Sequence, residues 1–187
     1  MVVMAPADEN EWPADAQHRP SLRGPAAVRY PRGTGPGVAI QPNLDTLPIG
    51  KAEVRCSGAR IALLAFGAIE PAAEQVGDEL GLTVVNMRFV RPLDRALILE
   101  LARATTASSR WKTTWSQAVP GARVAELLAE ANVQMSIQHL GLPDAFQHHA
   151  SREDLLTEAG LDIDGIRCVV LERWPALKAQ PAARAAG

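Results

Sequence analysis

The sequence feature that most constrains the fold is a short, continuous apolar run, Ile61-Ala-Leu-Leu-Ala-Phe66. A strand with one face in water alternates apolar and polar side chains, so a run without alternation predicts a strand buried on both faces. Such strands lie inside parallel sheets that helices cover on each side. The longer stretch Ile61–Ile69 is far too short to span a bilayer. The run therefore predicts the centre of an α/β domain.

Strand and helix patterns alternate along most of the chain, which predicts a mostly parallel sheet with helices on both faces. Ser57-Gly58 separates two of the strand patterns and is typical of a hairpin turn. Gly81 is placed to end a helix, and Ser151 with Asp154 resembles a capping box. Helices are predicted over 70–80, 93–104, 122–131, 151–159 and 163–177, and strands over 26–31, 51–56, 60–66, 82–89 and 134–140.

Three stretches interrupt this pattern. Proline and glycine recur between residues 33 and 48, which predicts a domain boundary there. Residues 105–121 fit neither the helical nor the strand period. The Ala- and Pro-rich tail from Lys178 is expected to be loose.

Charge and composition exclude several classes of protein. The chain has 19 Lys and Arg against 21 Asp and Glu, a net charge of −2, which excludes a strongly basic nucleic-acid or membrane-surface protein. Apolar residues make up 47% and charged residues 21%, as in globular domains. The first five residues lack the basic segment of a signal peptide. The two cysteines argue against a disulfide framework and indicate a reducing compartment, which we expect to be the cytoplasm.

The sequence contains no Walker loop, dinucleotide fingerprint or Cys/His cluster with metal-ligand spacing. Gly33–Gly37 neither follows a long strand nor opens a helix, which favours a linker over a phosphate-binding loop. His148 and His149 are adjacent, so their side chains point apart, and a surface loop is favoured over a metal site. His139 lies in an apolar run and is interpreted as a hydrogen-bonded core residue.

Cysteines and arginines supply the other candidates. Cys56 and Cys168 have no nearby His or CxxC partner, so both are interpreted as inert, packed thiols. Arg29 and Arg32 flank Tyr30-Pro31 and carry the planar donor fork that suits phosphate. In an extended segment residues three apart face opposite sides, so at most one arginine points into a given site. From the residues alone, surface ion pairing accounts for either arginine as well as ligand binding does.

Seven blocks of the chain resemble the 1-deoxy-D-xylulose-5-phosphate synthase family, thiamine-diphosphate enzymes of the transketolase group. The blocks follow the family's order and are spread over most of the length of the chain. They are MVVMAPADENE (1–11), GPAAVRYPRG (24–33), LPIGKAEV (47–54), ALLAFG (62–67), VVNMRFVRPLD (84–94), LGLPDAF (140–146) and SREDLLTEAGLDIDGI (151–166).

The resemblance implies a transketolase C-terminal-domain-like fold, a mostly parallel sheet with helices on both faces, preceded by a remnant of the pyrimidine-binding domain. It divides the chain into that remnant (1–33), a linker (34–48), the C-terminal-like domain (49–177) and a loose tail (178–187). The family joins pyruvate and glyceraldehyde 3-phosphate and releases carbon dioxide. Its product is a precursor of isoprenoids, thiamine and pyridoxal, and its members are homodimers.

The resemblance also implies a role for one arginine. Arg32, the second Arg of RYPRG, would bind the phosphate of the substrate, which favours Arg32 over Arg29. The family's thiamine diphosphate and Mg²⁺ site, its cofactor-activating Glu and its substrate-facing histidines belong to regions that this chain lacks. Because carboligation needs those groups placed together, we expect no catalytic, cofactor-binding or metal-binding residue here and no turnover by the chain alone.

Several positions depart from the family. Asn86 stands where the family usually has Asp. Residues 12–23 and 105–121 match no family segment, and we hypothesise that both stretches are frameshifted. Trp has a single codon, which limits what a shifted reading frame can encode. If reading starts two nucleotides into each codon, Trp111-Lys112 must encode Val, Leu or Met followed by Glu. One permitted reading of the second stretch is HGFVTVEDNVVAGGPG, the expected family segment. Genuine divergence of a surface region is the alternative, and nucleotide sequencing of the locus separates the two.

Three functions stay open at this point. The first is the C-terminal portion of a synthase, with the missing N-terminal domains or another synthase chain as its partner. The second is the C-terminal subunit of a split enzyme. The third is a non-catalytic binding or regulatory module on the same fold. No nucleic-acid or membrane partner is expected.

Overall fold

The structure, a computed structural model, describes residues 1–11, 24–31, 33–41, 47–58, 61–106, 112–116 and 118–179. The strands within these ranges are β1 (Val2–Met4), β2 (Ala26–Val28), β3 (Glu53–Cys56), β4 (Ile61–Ala65), β5 (Thr83–Asn86), β6 (Phe89–Arg91), β7 (Lys112–Ser116) and β8 (Ser136–Leu140). The helices are α1 (Glu70–Leu80), α2 (Arg95–Thr106), α3 (Ala118–Glu130), α4 (Arg152–Glu158) and α5 (Ile163–Arg173), followed by a 3₁₀ turn (Pro175–Ala179).

The larger sheet has the strand order β3-β5-β4-β7-β8. Strands β5, β4, β7 and β8 are parallel, and β3 is antiparallel to β5 at one edge. Every residue of β4 is buried, and β4 lies at the centre of the sheet. The prediction of a mostly parallel sheet around the apolar run is therefore confirmed.

Helices cover both faces of this sheet. Successive side chains of a strand point to opposite faces, and β4 contributes alternate residues to two apolar cores. Its odd-numbered residues pack with α1 and α5, whereas its even-numbered residues pack with α2 and α3. The three-layer arrangement follows from the absence of polar alternation in the run. No helix among the described residues has the length and hydropathy needed to cross a membrane.

Local signals predicted the helices well. Helix α1 has the predicted bounds, and Gly81 ends it in the left-handed region at φ 64°, where a residue without Cβ meets no steric penalty. Ser151 caps α4 by accepting the Asp154 N–H at 3.1 Å. The predicted last helix ends earlier, at Arg173, where the chain continues as the 3₁₀ turn.

The hairpin prediction is wrong. Strands β3 and β4 lie in the same sheet, but β5 separates them. The backbone of Gly58 is hydrogen-bonded to the Thr83 hydroxyl, which accepts from Gly58 N at 3.1 Å and donates to Gly58 O at 3.0 Å. These bonds direct the turn towards the start of β5, so β3 pairs antiparallel with β5 and leaves both edges of β4 for parallel partners.

Strand β7 lies in the stretch 105–121 that fits neither period. Its backbone pairs with β4 on one side and β8 on the other, so neighbouring strands determine an extended conformation that the local pattern does not indicate. Residues 12–23, the other departing stretch, lie outside the described residues. The frameshift hypothesis for both stretches stays a hypothesis.

A smaller sheet joins the beginning of the chain to the C-terminal part. Its order is β2-β1-β6, with β1 parallel to β2 and antiparallel to β6. Ala5 N donates to Arg88 O at 2.7 Å, and Arg29 N donates to Met4 O at 2.8 Å. Met4 is fully buried. The segment predicted to be a domain remnant is thus packed against the rest of the fold, and the division into domains stays a prediction.

Candidate functional site

The turn Gly67–Ile69 leaves the carboxyl end of β4 and leads into α1. Strand β5, reached through α1, lies on one side of β4, and β7, reached through α2, lies on the other side. The two connections run over opposite faces of the sheet, so their loops diverge at this end of β4. A crevice outside the carboxyl ends of the strands at such a reversal is the usual ligand-binding place in open α/β sheets.

Two clefts open beside this turn, and Tyr30 and Pro31 line both of them. The first has a volume of about 190 Å³ and is lined by Asp8, Glu9, the 33–36 segment and others. The second has a volume of about 200 Å³ and is lined by the turn at the end of β4, by Arg29 and by apolar side chains. Ala68 and Arg152 line both clefts.

Arg152 is the first residue of α4, and its position follows from the Ser151 cap that starts this helix. Its Nη2 donates to Ala68 O at 3.4 Å, which directs the guanidinium towards the turn. Arg29 is exposed and also lines the second cleft, and its backbone N–H is fixed by Met4 O. The charged side chains lining the second cleft are Arg29 and Arg152, with no carboxylate among its described lining residues.

A cluster of charged side chains adjoins the first cleft, which Asp8 lines. It is here called the Glu11 cluster and consists of Asp8, Glu11, Glu53, Arg55, Glu70 and Arg88. Glu11 is 5% exposed. Its Oε2 accepts the Ala7 N–H at 3.0 Å, and its Oε1 accepts from Arg88 Nε at 2.8 Å. The cluster joins the first residues of the chain to β3, α1 and the loop between β5 and β6.

Asn86 is a further hydrogen-bond partner of the Glu11 carboxylate. The Asn86 side chain is fully buried, its Nδ2 donates to Glu11 Oε1 at 2.9 Å, and its Oδ1 accepts the Arg88 N–H at 3.2 Å. An Asn supplies both the donor and the acceptor that these neighbours require, whereas an ionised Asp supplies acceptors only.

Arg55 is surrounded by carboxylates. Its guanidinium lies 3.1 Å from Glu53 Oε2, 3.5 Å from Glu11 Oε1 and 3.8 Å from Asp8 Oδ2. Its Nε is 3.3 Å from Glu70 Oε1, yet neither atom has an aligned hydrogen-bond partner among the described residues. Burial raises the pKa of the Glu70 carboxyl to about 7, against the opposing effect of Arg55. Four carboxylates thus share two guanidiniums.

Asp8, Glu9 and Asn10 of the first sequence block form hydrogen bonds with their own backbone segment and with the backbone of residues 37–41. Asp8 Oδ1 accepts the N–H of Asn10 and of Glu11 at 2.9 and 3.0 Å. Glu9 Oε1 accepts the Gly37 N–H at 2.7 Å, and this bond is the main cause of the lowered pKa of the Glu9 carboxyl. Asn10 Oδ1 accepts the Gln41 N–H at 2.9 Å. The backbones of Gly37 and Gln41 are therefore held by the first block, and residues 33–36 line the first cleft. The assignment of this segment as a linker stays a prediction.

Of the two arginines singled out in the sequence, Arg32 lies outside the described residues. Its neighbours Pro31 and Gly33 line the first cleft. Arg29 lines the second cleft. The assignment of a substrate phosphate to Arg32 rather than to Arg29 stays a prediction.

The histidine interpretations had different outcomes. His148 and His149 are exposed in the loop between β8 and α4, as predicted, and His148 Nδ1 lies 3.5 Å from Glu158 Oε2. The interpretation of His139 as a core residue is wrong, because its side chain is exposed. His139 lies near the end of β8, an edge strand of the larger sheet, where packing covers the side chains incompletely. Among the described residues, no group of three or more His, Cys, Asp or Glu side chains could hold a metal ion.

The two cysteines also differ. Cys56 is partly buried, and its Sγ donates to Asp78 Oδ1 at 3.0 Å. Burial and Asp78 raise the pKa of the Cys56 thiol to about 12, which agrees with an inert thiol. The interpretation of Cys168 as packed is wrong, because it lies on the exposed side of α5 and its Sγ donates to Glu172 Oε1 at 3.3 Å.

Sequence reasoning missed Arg152 and the Glu11 cluster. The capping pattern at Ser151 predicts the start of a helix, and the same cap also fixes the direction of Arg152, the residue that follows it. Asn86 and Arg88 interrupt an apolar run, and that pattern is a signal for buried polar side chains that need partners. The partner of each one comes from a distant part of the chain.

The comparisons with known proteins agree with this architecture. The family model of the transketolase C-terminal domain matches residues 50–166. Solved structures show the same fold at low identity. A split gene transketolase, solved as an inactive beta4 tetramer, is 24% identical with a TM-score of 0.69, over 92% of this chain and 56% of that chain. A transketolase from Campylobacter jejuni subsp. jejuni NCTC 11168 is 16% identical with a TM-score of 0.61, over 91% of this chain and 26% of that chain.

Curated relatives are much more similar in sequence. The 1-deoxy-D-xylulose-5-phosphate synthase of Xanthomonas euvesicatoria pv. vesicatoria (strain 85-10) is 60% identical over 177 residues, 95% of this chain. The synthase of Xanthomonas campestris pv. campestris (strain 8004) is 61% identical over 180 residues, 96% of this chain. The chain spans 28% of the length of each of these relatives.

These similarities confirm the resemblance drawn from the sequence blocks, and the family model covers more than half of the chain. The sheet order, the helices on both faces and the solved neighbours agree with it. The chain belongs to the transketolase C-terminal domain family.

Proposed function

We propose that this chain supplies the C-terminal portion of a 1-deoxy-D-xylulose-5-phosphate synthase. The whole enzyme joins pyruvate and glyceraldehyde 3-phosphate to 1-deoxy-D-xylulose 5-phosphate and releases carbon dioxide. The observation that carries the proposal is the 60% identity to such a synthase over 95% of the chain. We place the enzyme in the cytoplasm, in line with the reducing compartment that the cysteine usage indicates.

The thiamine diphosphate and Mg²⁺ of the family do not fit the residues described here. Those residues offer no group of His, Cys, Asp or Glu side chains for a metal, and the charged lining of the second cleft is a pair of arginines. In the proposal, the cofactor site and the groups that move protons come from the remaining part of the synthase. This chain alone is inactive.

The contribution proposed for this chain is substrate positioning. Arg32 binds the phosphate of glyceraldehyde 3-phosphate through charge-assisted hydrogen bonds. Two features support this role. Pro31 and Gly33, its neighbours, line a cleft, and the backbone before them is fixed by the bond from Arg29 N to Met4 O.

A chimera tests the proposal. The corresponding part of the Xanthomonas campestris synthase is replaced by this chain, and product formation is measured with both substrates, thiamine diphosphate and Mg²⁺. We expect turnover by the chimera, and Arg32→Gln should raise the KM for glyceraldehyde 3-phosphate at least tenfold with little effect on the KM for pyruvate. The matched control is Arg123→Gln, since Arg123 is exposed and pairs with Glu126. A folded chimera without turnover, or turnover by this chain alone, contradicts the proposal.

A second candidate is the C-terminal subunit of a split enzyme. It is favoured by the similarity in fold to a protein described as a split gene transketolase. The gene neighbourhood separates the two candidates. A separate upstream reading frame that encodes the first two domains supports the split enzyme, and one continuous frame supports the single-chain synthase.

A further inference from the structure

We infer that the loop between β8 and α4, residues 141–150, docks through Phe146 and Leu142 against the remaining part of the synthase. This loop is called the Phe146 loop below. The inference rests on the proposed function, because it names a contact that a C-terminal portion makes with the rest of the enzyme.

The Phe146 loop exposes an aromatic side chain of a type that the fold buries elsewhere. The chain has three phenylalanines. Phe66 and Phe89 are buried, whereas Phe146 is fully exposed and Leu142 is 52% exposed. Aromatic side chains are enriched in interfaces and supply much of the binding energy when they are buried there. An aromatic side chain wholly in water, on the same loop as a half-exposed leucine, therefore indicates a contact surface.

Local bonds hold the backbone on both sides of Phe146. Pro143 has a fixed φ, and its carbonyl oxygen accepts the Ala145 N–H at 2.8 Å. Gln147 Nε2 donates to Ala145 O at 3.2 Å. A side chain presented by a preorganised loop loses less conformational entropy on docking. Phe146 is therefore suited to anchor a contact.

The Phe146 loop and the beginning of the chain lie at the same end of the larger sheet. Strands β4, β7 and β8 are parallel, so the loop leaves β8 at the carboxyl end of this sheet. It leads into Arg152, which donates to Ala68 O in the turn that follows β4. Ala5 and Tyr30, which follow β1 and β2, line a cleft together with that turn.

The remaining part of the synthase is held near this end of the sheet. The chain spans 28% of the length of its relatives, so that part is the larger portion of the enzyme. In the proposed function it joins the chain before Met1. A strand rises about 3.3 Å per residue, so Met1 lies within about 13 Å of Ala5 along β1. The attachment point is therefore close to the cleft that Ala5 shares with Arg152.

A second copy of the chain is the alternative occupant, and the exposed area argues against it. An aromatic side chain buries about 150–250 Å², whereas a stable interface buries about 800 Å² on each partner. Phe146 and the half-exposed Leu142 supply only a fraction of that area. So small a contact can hold a part that is already linked to the chain, because linkage raises its local concentration. It cannot hold a separate copy.

Photo-cross-linking in the chimera described above tests the inference. Phe146 is replaced by p-benzoylphenylalanine, and mass spectrometry identifies the cross-linked peptide after irradiation. We expect a cross-link to a peptide of the Xanthomonas campestris portion. The matched control is Gln134→p-benzoylphenylalanine. Gln134 is exposed just before β8, at the opposite end of that strand, and should give no such cross-link.

Phe146→Ser measures what the contact contributes to stability. The side chain is fully exposed in this chain, so the variant of the chain alone should unfold at the same temperature as the unchanged chain. In the chimera, the same substitution should lower the unfolding temperature by about 2 °C or more. Phe146→Leu should lower it less, because it keeps an apolar side chain. Gln134→Ser should leave the unfolding temperature unchanged in both proteins.

Three results would overturn the inference. The first is a cross-link from position 146 to a peptide of this chain, which would make a second copy the occupant. The second is no cross-link from position 146, or equal cross-linking from positions 146 and 134. The third is an equal effect of Phe146→Ser on the chain alone and on the chimera. Neither readout requires turnover, so a folded chimera without product contradicts the proposed function while the docking contact is still tested.

Discussion

Glu11 is a carboxylate that the fold buries together with two arginines. Its two oxygens accept from Ala7 N, Asn86 Nδ2 and Arg88 Nε, and Arg55 lies 3.5 Å away. Removing one partner from a buried ionic group leaves the others without compensation and costs more than the pair itself contributes. Glu11 therefore holds the beginning of the chain to the C-terminal part.

Glu11→Gln tests this role. The amide keeps the size of the side chain but turns one acceptor into a donor, which then faces the Ala7 N–H or the Arg88 guanidinium. We expect the free energy of unfolding to fall by about 1–3 kcal/mol, the cost of a buried donor without an acceptor, as measured by urea denaturation. Glu126→Gln, on an exposed ion pair, should change it by less than about 1 kcal/mol. Equal effects of the two variants would show that Glu11 is no more important than a surface charge.

Asn86→Asp tests the same contact by changing the residue that donates to Glu11. An ionised Asp would place a carboxylate against Glu11 Oε1 where Asn86 now donates at 2.9 Å. We expect a loss of about 1–3 kcal/mol at neutral pH, measured as the shift in the urea midpoint. A variant as stable as the original chain at pH 7 would contradict this account.

The sequence predicted the properties of a residue where its chemistry is local. It failed where the property in question is the solvent exposure of the side chain. The interpretation of Cys56 as inert is supported by its bond to Asp78. His139 and Cys168 lie in apolar stretches but are exposed, because one lies near the end of an edge strand and the other on the outer side of a terminal helix. Arg152 was missed since the carbonyl that orients it belongs to Ala68, 84 residues away in sequence.

At the scale of elements, α1 carries a buried carboxyl at its first residue. Glu70 is 2% exposed, and burial raises the pKa of its carboxyl from the ordinary 4.5 to about 7. Between these values the folded chain binds more protons than the unfolded chain, so this group makes stability fall as the pH rises from about 4.5 to 7.

Glu70→Gln should remove that contribution to the pH dependence. The amide is neutral at every pH, so we expect the free energy of unfolding to fall less between pH 5 and pH 8 than in the unchanged chain. Gln should also be more stabilising than Glu at pH 8, where the carboxyl is ionised. Urea denaturation at pH 5, 6, 7 and 8 measures both slopes. Glu79→Gln, on an exposed residue of the same helix, serves as the control. Parallel profiles for Glu70→Gln and the unchanged chain would contradict the raised pKa.

Elements whose signals are local were predicted from the sequence, and strand pairing was not. The helical spacing and Gly81 located α1, and the apolar run located β4. The partner of β3 depends on hydrogen bonds from Gly58 to Thr83, 25 residues away in sequence, so the local turn signal gave the wrong neighbour. Strand β7 likewise depends on the strands beside it, because its own residues fit no period.

At the scale of the whole molecule, the first residues pack against the C-terminal part. The sequence predicted a remnant of another domain followed by a linker. In the structure, β1 pairs with β6, Met4 is fully buried, and Glu11 reaches Arg88. The composition between residues 33 and 48 indicates a change in the path of the chain, but composition does not show which side chains meet across it.

Removal of residues 1–33 measures how much this packing contributes. The truncation exposes the apolar surface that Met4 covers and leaves Arg88 without Glu11, and we expect the free energy of unfolding to fall by roughly 3–6 kcal/mol. That is a large part of the about 5–15 kcal/mol typical of a domain, so the urea midpoint should fall steeply, with a smaller dependence on urea concentration. Removal of residues 180–187, part of the tail predicted to be loose, is the matched control and should leave the midpoint unchanged. Equal midpoints for the two truncations would mean that the contacts of Met4 and Glu11 add nothing to stability, and that residues 49–177 are the independent domain which the sequence predicts.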